Sequence, residues 1–139
     1  MSAAAKLYSP EVLALATSLA AFPLIEAFPL HGSARAPLCG STLELGLRLD
    51  PQGRISALGL KVHACAIGQA SAALFARSAN GKCRGDLVGA LSALEAWLTS
   101  SEVSPPAWPG LDAIAAAHAY PARHGAILLP WKAALVALP

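Results

Sequence analysis

Four leucines spaced two apart, Leu43, Leu45, Leu47 and Leu49, alternate with Thr42, Glu44, Gly46 and Arg48. Successive side chains of an extended chain point to opposite faces, so this run is a strand with one face buried and one wet. Asp50-Pro51-Gln52-Gly53 carries turn chemistry, and Arg54 to Val62 reads as the returning strand, which makes the pair a hairpin. The start of the outgoing strand and the end of the returning strand then lie at one edge. Cys39 in Pro37-Leu38-Cys39-Gly40-Ser41 and Cys65 in Val62-His63-Ala64-Cys65-Ala66-Ile67 are brought to that edge together.

Cys65 stands where the extended segment hands over to a helix of small residues that runs to Asn80-Gly81, a stop in which Gly can take the left-handed conformation. The unpaired N–H groups of a helix start favour thiolate over thiol, the form that attacks sulfur and binds metal. The alternative for an apolar-flanked cysteine is inert core. Cys39, at a Pro/Gly turn, supplies a second thiol at the same edge.

With 139 residues the chain is one domain, 1–139, large enough to bury a core without staples. Charged residues make up 13% and hydrophobic ones 55%, so partner binding through apolar patches is expected. A formal charge of +2 without a basic cluster argues against nucleic acid, which needs a concentrated Lys/Arg footprint. Three widely spaced cysteines make no disulfide framework and read as free thiols of a reduced, cytoplasmic protein. Val12 to Ile25 is apolar, but Pro10-Glu11 precedes it and Pro23 interrupts it; it reads neither as a leader nor as a membrane span.

Ser9-Pro10-Glu11 opens a first helix, with Val12, Leu15, Ala16 and Leu19 on one face and an end before Pro23. Phe22 to Leu38 reads as a long connection with room for a short edge strand near Ile25 to Phe28. Asp86 to Leu98 is the clearest amphipathic helix, with Leu87, Leu91, Leu94 and Leu98 at helical spacing. Cys83 precedes it at the cap position. Leu111 to Ala117 is a short Ala-rich helix stopped by Tyr120-Pro121, and a last helix starts near Ala122 and is bent or restarted at Pro130. The fold class expected is α+β: a small antiparallel sheet with about four to five helices packed on it.

Several of these segments, taken in order, carry a resemblance. Cys39-Gly40 before an alternating strand, a second strand running into Ala64-Cys65-Ala66-Ile67 and Ala70-Ser71-Ala72, then Gly81-Lys82 and a late Arg123 followed by Leu128-Leu129-Pro130-Trp131, resemble the U-type iron–sulfur cluster assembly scaffolds. That family comprises the IscU and SufU proteins and the amino-terminal domain of NifU. The similarity runs from Leu7-Tyr8-Ser9-Pro10-Glu11 to Leu135. The resemblance implies a scaffold rather than an enzyme, a transient iron–sulfur cluster or iron as cargo, and a cysteine desulfurase and recipient apoproteins as partners, with no membrane involved.

In the family, three cysteines and an Asp hold the metal. Position by position, Cys39 and Cys65 match two of the cysteines, whereas Ser41 stands where the family has Asp and Ala126 where it has the third cysteine. Two thiolates without a carboxylate underligate iron or zinc. Histidine is the natural substitute, and two candidates follow. His63 is two residues before Cys65, so on an extended backbone both point to the same face; His124 lies close to the lost cysteine. Three readings follow: a divergent scaffold or sulfur acceptor in which Cys65 or Cys39 takes up sulfur or iron; a non-cluster-binding partner of the assembly machinery; and a small zinc protein using Cys39, Cys65 and a histidine.

Overall fold

The computed structural model describes residues 7–100 and 102–139. Helix α1 spans Pro10–Ser18; Ser9 caps it by accepting from the Val12 N–H at 3.2 Å, and Pro10 occupies the first turn, where its missing N–H costs nothing. Three strands follow, β1 Leu30–Ala36, β2 Ser41–Leu49 and β3 Ile55–His63, in an antiparallel sheet of order β1-β2-β3. Helix α2 spans Ala66–Ser78, α3 Arg84–Thr99 and α4 Pro121–Ala137, with a 3-10 helix at Leu111–Ala119 before α4. The fold is therefore α+β, as the sequence implies.

The hairpin forms at the expected place. Asp50 organises the turn by accepting, through Oδ1, the N–H groups of Gln52 and Arg54, both at 2.9 Å, and Gly53 takes φ 80°. Leu43, Leu45 and Leu47 are almost completely buried. Their partners Val62, Leu60 and Leu58 share that face, and α4 packs over it from β1 to β2.

The edge strand lies further along the chain than Ile25 to Phe28. That segment instead crosses the outer face of the sheet, and the strand follows at Leu30–Ala36. The physical reason is a glycine pair: Gly46 and Gly59 face each other across β2 and β3. A Cβ on Gly59 would collide with the Pro23 carbonyl and one on Gly46 with Phe28. The missing side chains form the trough in which the Pro23–Phe28 connection lies, and the Leu60 N–H donates to the Phe22 carbonyl at 2.8 Å.

Helix α2 is the hub, with Ile67, Ala70, Ala72, Ala73 and Phe75 sealed from solvent. Phe75 stacks on Trp108 at 5.6 Å between centroids and meets Trp131 edge-on at 5.3 Å. Pro130 sits inside α4, which continues through it as one helix. The buried Ser71 hydroxyl donates to the Ile127 carbonyl at 2.7 Å, which ties the proline-bearing part of α4 to α2. Arg84 caps the far end by donating to the carbonyls of Leu135 and Leu138, both at 3.1 Å. The Leu111 segment winds as a 3-10 helix rather than an α-helix, so its nine residues reach further between Gly110 and Pro121. Among the described residues no helix is long and apolar enough to cross a membrane.

Candidate functional site

Thr42 pairs with His63, so the chain before β2 and the chain after β3 leave the sheet at the same end. Both cysteines are there, half-buried and free. The Cys39 loop is a tight turn in which the Gly40 N–H donates to the Ala36 carbonyl at 2.9 Å and Gly40 takes φ 70°. It places Cys39 Sγ 3.0 Å from the Ser41 hydroxyl oxygen, which is itself buried. That hydroxyl lowers the Cys39 pKa below its ordinary value, with burial opposing and the backbone N–H groups and Arg123 cation adding to the shift.

Cys65 is the N-cap of α2, with φ −65° and ψ 172°, and its side chain makes no cap hydrogen bond. Gln69 fixes the corner out of β3: its N–H donates to the Cys65 carbonyl and its Nε2 to the Ala64 carbonyl, both at 3.0 Å.

The start of α4 wedges between the two thiol-bearing segments. A Cβ on Gly125 would stand 3.0 Å from that of Ala36, and one on Gly68 would stand 3.2 Å from that of Ala126. Ala126 is wholly buried, so the position that resembles the family's third cysteine is filled by a methyl group packed on α2. On the same turn Arg123 donates from Nη2 to the Tyr8 phenol oxygen at 3.3 Å. Tyr8 and then the Cys65 thiol are the main groups that raise the Arg123 pKa, and Cys39 contributes less.

The two histidines proposed as ligands go elsewhere. β3 ends at His63 and the chain turns at Ala64 into α2, so the two-residue period breaks before it reaches Cys65. His63 lies exposed on the outer face of the sheet, in one cross-strand row with Thr42 and Arg35. His124 donates from Nε2 to the His118 carbonyl at 2.8 Å, and His118 in turn to the Trp97 carbonyl at 2.7 Å. Among the described residues no three His, Cys, Asp or Glu side chains are grouped to hold a metal ion. Cys83 is the N-cap of α3; its N–H donates to the Asp86 carboxylate at 2.9 Å.

Sequence reasoning does not single out Arg123, Tyr8 or the Ser41 hydroxyl as members of the site. The signal for Arg123 is its spacing: three residues before Ala126 in a helix, it shares that residue's face. Tyr8 is over a hundred positions away and no local pattern points to it.

The Cys39–Ser41 contact carries a direct expectation. Ser41→Ala removes the hydroxyl that favours the thiolate, so the pH midpoint of Cys39 alkylation moves up toward that of an ordinary cysteine and its rate at neutral pH falls several-fold. Iodoacetamide kinetics across pH, read on the Cys39 peptide, check this; a midpoint equal to the wild type's would refute it.

No protein-family model and no curated protein matches the sequence. Solved structures do match. A NifU-like protein (amino-terminal part) from Brucella abortus superposes with a TM-score of 0.85 and 24% identity, over 98% of this chain and 94% of that one. A protein from Fervidobacterium islandicum AW-1, described as an iron–sulfur cluster assembly scaffold for the SUF system, gives 0.80 and 22% over 97% and 98%. A hypothetical protein gives 0.62 and 17% over 91% and 95%. Over nearly its whole length the chain has the fold of the NifU-like amino-terminal and SufU scaffold proteins.

Proposed function

We propose that this chain is a sulfur acceptor of iron–sulfur cluster assembly, in which Cys39 takes sulfur from a cysteine desulfurase and Cys65 shares in handing it on to a cluster or a recipient apoprotein. The observation that carries the reading is the 3.0 Å contact between Cys39 Sγ and the Ser41 hydroxyl on a half-exposed loop. A thiol so placed is an accessible nucleophile. Its thiolate attacks the terminal sulfur of the desulfurase's cysteine persulfide; a new S–S bond forms at Cys39, the donor's S–S bond breaks, and the donor cysteine leaves as thiolate.

The same donor set favours sulfur over metal as the cargo held here. Two thiols are present, the hydroxyl of Ser41 is engaged by Cys39, and Ala126 supplies no donor. The zinc alternative draws on His63 or His124, and the outer-face position of the first and the His118 contact of the second speak against it.

Incubation of the purified chain with a cysteine desulfurase and cysteine, followed by peptide mass analysis, tests the reading. The expected result is one added sulfur on Cys39 in the wild type and in Cys65→Ser, and none on that position in Cys39→Ser. A wild type that takes up no sulfur on either thiol overturns it. Binding of the desulfurase by the double cysteine variant, with no uptake by the wild type, would instead favour the non-cluster-binding partner.

A further inference from the structure

Four polar groups from distant parts of the sequence are drawn toward the rim just described: the two thiols, the Arg123 guanidinium, whose charge acts on both, and the Tyr8 phenol bonded to it. The backbone explains the meeting. Gly125 lets α4 press against Ala36, where the Cys39 turn begins, and Ala126 packs on Gly68, one turn into the helix that Cys65 caps. The first two turns of α4 are thus fixed on both sides by the segments that bear the thiols, and Arg123 lies in them, three residues before Ala126. Its side chain is half-buried and is anchored by donation to the Tyr8 oxygen at 3.3 Å.

The chemistry of that anchor matters. A phenol oxygen that accepts from a guanidinium keeps its own O–H free to donate, and a guanidinium that spends one N–H on a phenol keeps the others. Arg123 forms no salt bridge with a carboxylate among the described residues. A cation and a hydroxyl, both with donors to spare, at the start of the helix that packs between the two thiol-bearing segments form a receptor for an anion, and a sulfur-centred anion is what either thiol holds after taking up sulfur.

We propose that Arg123, positioned by Tyr8, is the anion receptor for the terminal sulfur of a persulfide on Cys39 or Cys65. This rests on the sulfur-acceptor reading above and names the form in which the sulfur is kept: as an anion paired with a guanidinium. The pairing stabilises the loaded state without metal ligation. It also makes Cys39 and Cys65 alternative seats for one sulfur, because a single cation serves both.

Two measurements on the full chain test this, and neither needs a desulfurase. The first compares alkylation by iodoacetate and iodoacetamide at one pH, read separately on the Cys39 and Cys65 peptides. Both reagents consume the same thiolate, so the ratio of their rates reports the local charge and not the thiolate fraction. Loss of a unit charge close to a thiolate, in a water-like dielectric, changes such a ratio by a small factor, about two- to threefold. Arg123→Gln should lower it by that factor on both cysteines at low ionic strength, Arg123→Lys should keep it, and Tyr8→Phe, which frees the guanidinium to wander, should lower it in part. Added salt should shrink the difference.

The second measurement loads sulfur from sodium tetrasulfide. The thiolate attacks a polysulfide sulfur, the S–S bond to the remaining chain breaks, and trisulfide leaves, which gives the protein persulfide anion. The wild type and Arg123→Lys should hold more persulfide at steady state than Arg123→Gln. An unchanged alkylation ratio in Arg123→Gln overturns the proposal, and so does a lowered ratio with persulfide loading equal to the wild type's. Circular dichroism of each variant guards against misfolding, with Tyr8→Phe as the milder change. A failure here leaves sulfur uptake from the desulfurase to be judged by its own experiment, and a failure of that uptake leaves these two readouts standing.

Discussion

Gly32→Ala should cost the protein about 3 kcal/mol or more, and Gly32→Val should prevent it from folding. Gly32 lies on the inner face of β1, paired with Leu45, where α4 crosses the strand. A Cβ there would collide with the Ala133 carbonyl and stand 2.7 Å from the Ala137 nitrogen. Both neighbours are backbone atoms of one helix, so no side chain can swing aside and the helix itself must lift. Lifting α4 also withdraws the turn that carries Arg123, so the residual folded fraction should show an altered iodoacetate-to-iodoacetamide ratio at Cys39. Gly89 is the control. It lies inside α3 with nothing within 4 Å of its missing Cβ, and Gly89→Ala should stabilise by about 0.5–1 kcal/mol through helix propensity and reduced unfolded-state entropy. Urea titrations of the two alanine variants check both signs; equal midpoints would show that α4 does not press on β1 as closely as the structure has it.

The contrast between these two glycines also marks what a sequence discloses. The leucine alternation of β2, the Asp50 turn, the Ser9 cap and the Cys83 cap position are local patterns, each satisfied within a few residues, and each is found where the sequence puts it. β1 is different. Leu30-His31-Gly32-Ser33-Ala34-Arg35-Ala36 has few strand-favouring residues. It is a strand because β2 offers it an edge and α4 covers its inner face, whereas of Ile25 to Phe28, richer in apolar residues, Phe28 is drawn into the trough over Gly46 and Gly59 and Ile25 stays exposed.

The site divides in the same way. That Cys39 and Cys65 share one end of the sheet follows from the hairpin, because antiparallel pairing alone fixes it. The placement of His63 depends on where the strand stops, and one residue decides the face: the turn at Ala64 comes before the alternation reaches Cys65. Arg123 and Tyr8 meet through one hydrogen bond between the start of α4 and the segment before α1. Such a long-range contact leaves its trace in three dimensions and none in spacing.

Trp131→Ala should lower stability by about 3–5 kcal/mol. The indole is wholly buried and meets Phe75 and Trp108 edge-on at 5.3 and 5.2 Å, so truncation leaves a cavity in the middle of the layer that joins α2 to α4. Trp131→Phe separates the two parts of that cost. It keeps a ring for the edge-on contacts and removes an indole N–H that is buried without a hydrogen-bond partner, so part of the lost packing is offset by a polar group that no longer has to be desolvated. The phenylalanine variant should therefore lose less than half of what the alanine variant loses. Denaturant midpoints at constant m-value would show this, and equal losses in the two variants would mean that the indole N–H is satisfied in solution and that the ring's full size is what α4 needs. The thiol chemistry gives an independent reading of the same layer. Trp131 lies two turns along α4 from Arg123, so in conditions where each variant is fully folded the Cys39 alkylation midpoint should match the wild type's. A shifted midpoint in folded Trp131→Phe would show that the aromatic layer sets the position of the α4 start, and with it the charge at the rim.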